Sequence, residues 1–186
     1  MTTRSVSTTW PTYSARRRGF TLLEAVITAA VFTVGFFAMS STSEVVTTLK
    51  RSASERALAQ RGLQVIGQDL LRKARTSSAD PAQWAAEILE AFGPDGDPGS
   101  QLHVPGLEPW PGLDHTATVT LVTDETSTNE DHGVDAGLPR DLDGDGQASR
   151  TDVSGNASLL PAIVRVRWSQ PSGDFELHQV VYLIRP

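Results

Sequence analysis

The chain has 186 residues, enough for one domain with an appendage and hardly for two full domains. Its 16 Lys and Arg against 22 Asp and Glu give a formal charge of −6, and it has no cysteine, which excludes disulfides, thiolate metal sites and cysteine nucleophiles. The charge is segregated: residues 1–19 hold four arginines and no acid, whereas residues 76–186 hold five basic and 18 acidic side chains. A body this acidic repels phosphate backbones, which argues against nucleic acid as a partner, and it attracts cations.

Residues 1–15 are polar, rich in Ser and Thr and without apolar periodicity, as expected of a leader. Arg16, Arg17 and Arg18 follow, and from Phe20 to Met39 the only charge is Glu24. Twenty such residues make roughly 30 Å of helix, the thickness of a bilayer core. Basic residues ahead of it place the N-terminus on the cytoplasmic side, so the segment spans a membrane or is an export signal. From Glu44 to Arg75 there is no proline, and Val46, Leu49, Ala53, Ala57, Ala59, Leu63, Ile66 and Leu70 recur at helical spacing. One continuous helix is expected, apolar first and amphipathic afterwards. Gly62 and Gly67 are its weak points, at about 1 kcal/mol each relative to Ala, and invite curvature or melting.

Ser78, Asp80 and Pro81 read as a stop followed by the cap and first turn of a short helix, PAQWAAEILEAF. Gly93 to Gly112 is loop punctuation. His115–Val122, Ala162–Trp168 and Asp174–Ile184 alternate as strands, with QPSGD as a hairpin loop between the last two. A long polar insertion, residues 123–158, separates the first two strands. The expected fold is α+β, a long N-terminal helix whose second half packs on a small antiparallel sheet.

Gly19-Phe20-Thr21-Leu22-Leu23-Glu24, preceded by arginines and followed by an apolar helix, resembles the prepilin peptidase site of type IV pilins and type II secretion pseudopilins. The resemblance is close over residues 16 to 40, and it implies a pilin-like fold. It further implies cleavage after Gly19 by prepilin peptidase, methylation of the new amine of Phe20, and pairing of Glu24 with the N-terminal amine of a neighbouring subunit. A charge in mid-bilayer costs about 2.5–3.5 kcal/mol on insertion scales, so an ammonium one subunit away gives the acid a reason to be there. Partners would be other pilins or pseudopilins, met through the N-terminal helix in the inner membrane. The domains would be a leader (1–19), a transmembrane and filament-core helix half (20–40) and a periplasmic or extracellular head (41–186) that includes the amphipathic helix half (41–76).

The 19-residue leader, Ser41 where many major pilins carry a kink-promoting proline, and the missing C-terminal cysteines point away from an abundant filament subunit. The closing VRVRWSQPSGDFELHQVVYLIRP is similar to the end of minor pilins of the V type. A minor pilin is therefore the expectation, with a type II secretion pseudopilin as the alternative. A further alternative is a secreted calcium-binding protein: Arg17-Arg18 resembles a twin-arginine signal, and Ala38-Met39-Ser40 offers a small-x-small site for release after Ser40.

Within the insertion, residues 141–152 read DLDGDGQASRTD. Aligned to a calcium-binding EF-hand loop, Asp141, Asp143 and Asp145 take positions 1, 3 and 5. Gly146 takes the turn, Gln147 offers its carbonyl, Ser149 takes the ninth position and Asp152 the twelfth. Such spacing delivers oxygens to a hard cation, and Ca²⁺ is the expected cofactor, bound weakly and stapling an insertion with little core of its own. His103, His115, His132 and His178 share no ligand spacing. No nucleophile elbow or phosphate loop is present, and no constellation supports an enzyme. Trp84, Trp110 and Trp168 read as core or loop anchors, and Arg165 and Arg167 as a solvated strand face.

Overall fold

The structure, a computed structural model, describes residues 21–186, so Gly19 and Phe20 lie outside the described residues. Among them are one long helix, two shorter ones and a four-stranded antiparallel sheet, the expected α+β class. Helix α1 spans Leu22–Thr76, and the chain divides into compact units at Thr47 and Thr48.

In the first unit every side chain from Thr21 to Ser40 is exposed, including Phe32, Phe36 and Phe37. This half of α1 is long and apolar enough to cross a membrane. Its threonines are compatible with that surrounding. The Thr28 hydroxyl donates to the Glu24 carbonyl at 2.7 Å, and that of Thr33 to the Ala29 carbonyl at 2.8 Å. Hydroxyls returned to the helix's own carbonyls need no water, which an apolar medium cannot supply.

The second unit holds the core. Ala59, Leu63, Ile66, Leu70 and Ala74 form the buried stripe of α1. The stripe begins at Ala59, because Val46 and Leu49 are exposed despite their helical spacing. Helix α2 (Pro81–Phe92) is capped by Asp80, whose carboxylate accepts from the Ala82 amide at 3.0 Å, with Pro81 in the first turn as expected. Trp84 is fully buried, and its indole N–H donates to the Ala74 carbonyl at 2.9 Å, satisfying an orphan acceptor at the end of α1.

Strands β1 (Gln101–Leu102), β2 (Ala117–Leu121), β3 (Leu159–Gln170) and β4 (Gly173–Ile184) lie in that order across the sheet. Leu160, Ala162, Val164, Val166 and Trp168 of β3 share one face with their β4 partners, from Leu183 to Phe175. Gly62 and Gly67 do not interrupt α1. A Cβ at Gly62 would lie 2.7 Å from a Val104 methyl and one at Gly67 3.4 Å from a Val181 methyl. These glycines are where neighbouring chain approaches the helix, so packing offsets their low helix propensity.

Four expectations need correcting. The segment 93–112 contains β1, two residues too short to leave a periodic signal. The hairpin loop is Pro171-Ser172 alone, because β3 and β4 pair as far as Gln170 and Gly173. The insertion has a core share of its own: Val134, Ala136, Leu138, Leu142, Val153 and Ala157 are buried. It also contains α3 (Asn129–His132), closed by a capping box between Thr128 and Asp131. Arg167 is more than a solvated charge: its guanidinium sits 5.0 Å over the Trp110 ring and donates to Glu176 at 2.7 Å. Trp110 anchors its loop by donating to the carbonyls of Trp168 and Phe175.

Candidate functional site

The N-terminal candidate begins at Thr21, the residue before the first of α1. The Thr21 hydroxyl oxygen accepts from the Glu24 amide at 3.3 Å, which is half of a capping box. Thr21-x-x-Glu24 is the sequence signature of that box, and reading Glu24 only for its charge passed over it. Glu24 lies exposed in the first turn, where an acid is favoured by the helix dipole. The cap is thus made by the Thr21 side chain on the Glu24 backbone, and what the Glu24 carboxylate adds to the helix start is its charge.

The second candidate is the acidic loop of the insertion, and its organiser is a residue outside the motif. Glu125 is fully buried, and both of its oxygens are occupied. Oε1 accepts from the amides of Leu142 at 2.7 Å and Asp143 at 3.1 Å. Oε2 accepts from those of Ser149 at 3.2 Å and Arg150 at 3.0 Å. Its backbone joins in: the Glu125 amide donates to the Arg150 carbonyl, and the Arg140 amide to the Glu125 carbonyl. One carboxylate thus ties the two ends of the loop together. Burial pushes the Glu125 pKa up, but the four amide donors outweigh it and the group is held below the usual carboxylate range.

Inside this clamp the aspartates fold the loop around themselves. Asp141 accepts from the amides of Gly144 at 2.6 Å and Gly146 at 2.8 Å, which lower its pKa. Both glycines have positive φ, 86° and 87°, so the two turns demand them. Asp143 accepts from the Asp145 amide and Asp145 from the Gln147 amide, at 3.0 and 2.8 Å. The free oxygen of Asp143 meets Asn156 at 3.0 Å and the Arg150 guanidinium at 2.8 Å, and Arg150 reaches Asp145 at 3.6 Å.

Of the six expected ligands, the structure brings Asp141 and Asp143 together. With Glu125 they place three carboxylate oxygens within 4.8 Å of one another, a cluster that could hold a metal ion. Asp145 and Asp152 are not in that trio. Asp152 accepts from the Ser154 amide at 2.9 Å, and Ser149 and Gln147 are engaged through their amides. Glu125 left no signal in the sequence, since its partners lie 17 to 25 residues away.

Residues 14–40 match the family model of the prokaryotic N-terminal methylation motif. No curated protein and no solved structure matches the chain. The motif match is consistent with the type IV pilin and pseudopilin family, which is structural and not enzymatic, and it covers both the expected cleavage site and the first residues of α1.

The clamp has a direct test. Glu125→Gln keeps the shape but sets an NH₂ against two amide donors, each orphaned donor costing about 1–3 kcal/mol. The insertion should become protease-sensitive between residues 123 and 158, while a variant at exposed Glu130 should not. The folded pKa of Glu125 is depressed, so its stabilisation is present above the unfolded value and is lost as pH falls through the folded one. The amide NMR shifts of Leu142, Asp143, Ser149 and Arg150 should titrate together below the ordinary glutamate range. Independent titrations, or none, would contradict the clamp.

Proposed function

We propose that this chain is a minor pilin, made as a prepilin, cleaved after Gly19 and methylated at Phe20 by prepilin peptidase. The single observation behind the reading is a coincidence of position. The methylation motif at residues 14–40 overlays the start of a helix that exposes apolar side chains all round. Before assembly this half of α1 is stored in the inner membrane, and on assembly it packs among the equivalent helices of other pilins. The filament lies at the cell surface with residues 48–186 as the head. Ser41 in place of a kink-promoting proline and the lack of cysteine favour a minor role over an abundant one. A type II secretion pseudopilin would use the same helix and the same processing site.

Glu24 then acts as a register device. Its carboxylate is costly in the bilayer until it meets the Phe20 ammonium of a neighbour at the right axial offset. Because Glu24 also belongs to a capping motif, the decisive comparison uses two variants. Gln can still complete a capping box, whereas Ala cannot. Both Glu24→Gln and Glu24→Ala should be processed and membrane-inserted yet recovered poorly in sheared filaments. Normal recovery of Glu24→Gln would reduce Glu24 to a helix cap. Recovery of the unaltered chain only with periplasmic assemblies would favour the pseudopilin.

We assign the acidic loop to Ca²⁺, with Asp141, Asp143, Asp145 and Asp152 giving carboxylate oxygens, Gln147 its carbonyl and Ser149 the ninth position. Two of these ligands, Asp141 and Asp143, already lie close together beside Glu125, and the loop is turned by Gly144 and Gly146, which supports this. The ion would have to displace Arg150 from Asp143 and draw in Asp152, which favours weak binding, on the order of 10⁻⁴–10⁻³ M as in extracellular sites. A fragment of residues 48–186 retains every buried residue of the described core. Its melting temperature should rise with millimolar Ca²⁺ and fall back with chelator. An unchanged melting temperature removes the ion from the account.

A further inference from the structure

We infer that the outer edge of β4 takes an added strand from a different protein. The inference rests on the reading of the chain as a minor subunit, whose sideways neighbours are other chains, and it names the surface that meets one of them. The Arg167 amide donates to the Thr116 carbonyl and the Pro161 carbonyl accepts from the Val122 amide, both beside β2. Odd-numbered β3 residues thus turn their backbone groups toward β2, and even-numbered ones toward β4. The β4 partners of the even-numbered residues are the odd-numbered ones from Gly173 to Leu183. The N–H and C=O groups of Asp174, Glu176, His178, Val180, Tyr182 and Ile184 therefore face outward, and no described backbone group bonds to them.

Sheet edges are ordinarily blunted by shortness, charge or proline. The β1 edge is two residues long. On β4, Asp174 and Glu176 guard the first part, but from His178 to Ile184 there is no Asp, Glu, Lys, Arg or Pro. Beside that stretch, on the α1 side, lies an open hollow of about 410 Å³. Its walls are Gln64, Gly67, Gln68 and Leu71 of α1 with Gln179 and Val181 of β4, and no charged residue lines it. The three glutamines are exposed. Arg140 on the Tyr182 ring and Arg185 past Ile184 flank the stretch without lining the hollow.

An extended chain laid along this edge exchanges hydrogen bonds with the outward groups and sends every second side chain to the α1 side. Those side chains reach three primary amides, which donate and accept but carry no counter-charge. Uncharged polar groups are satisfied there, and an ion is not. The alternate side chains run beside Val180, Tyr182 and Ile184, which favours apolar and β-branched residues. The occupant is thus a strand that alternates uncharged polar with apolar residues. A second copy of this chain does not fit. Its β1 is too short, and the α1-facing Val181 and Leu183 of its β4 are buried in its own core, so hollow would meet hollow.

The test uses the full-length chain in its own cells, with photoreactive p-benzoylphenylalanine in place of exposed His178 or, as control, of Ser172 in the β3–β4 turn. Irradiation should join the chain substituted at His178 to a different protein, several-fold more than the control. The joined segment, identified by mass spectrometry, should carry the alternating pattern. Two further variants challenge the contact. Val180→Pro removes an outward N–H and no β3 bond, a change that strand edges tolerate. Gln68→Arg brings a charge to the hollow from an exposed helix position. Each should keep the parent's melting temperature and cut the adduct several-fold; if Val180→Pro melts early, Gln68→Arg decides alone. An adduct with a second copy, one no stronger than the control's, one joined through a segment without the pattern, or one that survives Gln68→Arg overturns the proposal. If the adduct is missing while the chain still sediments with filaments, the assembly reading stands and the docking falls. If it forms in chains that never enter filaments, the docking stands and the filament reading falls.

Discussion

Helix α1 has to satisfy two surroundings with one backbone, and the rest of the structure follows from how it does so. Up to Ser40 its side chains are exposed and almost all uncharged, a surface that water does not tolerate over this length and that lipid or packed helices do. From Ala59 the same helix gives up one stripe to a core and keeps the remainder polar. On the proposed reading the first half passes from membrane to filament, which requires the second half to carry a domain that stays folded meanwhile. All the buried residues of the described chain fall between Ala59 and Leu183, within the second unit.

Within the head, stability is built without a covalent staple. Two devices stand in for disulfides, both made from backbone hydrogen bonding. Trp84 links α2 to the last turn of α1 through the Ala74 carbonyl. Glu125 gathers four amides from the two ends of the acidic loop. A buried carboxylate is costly when bare and rigidifying when every lone pair is used. The loop is therefore ordered by its own donors and by Arg150, and an ion would add to that order rather than create it.

Much of this was legible in the sequence where the signal is local. The helix from Leu22, the Asp80–Pro81 cap and the β3–β4 hairpin follow from apolar period, turn chemistry and alternation over short windows. The N-terminal motif was legible for the same reason, being a run of adjacent residues. What escaped depends on separation along the chain. The Glu125 clamp spans up to 25 residues, and the reason for Gly62 lies at Val104. Val46 and Leu49 carry the right period but come before the head begins to cover the helix, so spacing alone overstated the core stripe. In the acidic loop the structure brings Asp141 and Asp143 near one another, and spacing could not say that Asp152 would be turned to Ser154.

The most direct test of the account is the mass of the N-terminal peptide of the mature protein, isolated from the membranes of its own cells. A chain beginning at Phe20 and carrying one extra methyl group is the predicted result. A chain beginning near Ser41 would contradict it, since the apolar half of α1 would then have been discarded as an export signal and could not assemble anything.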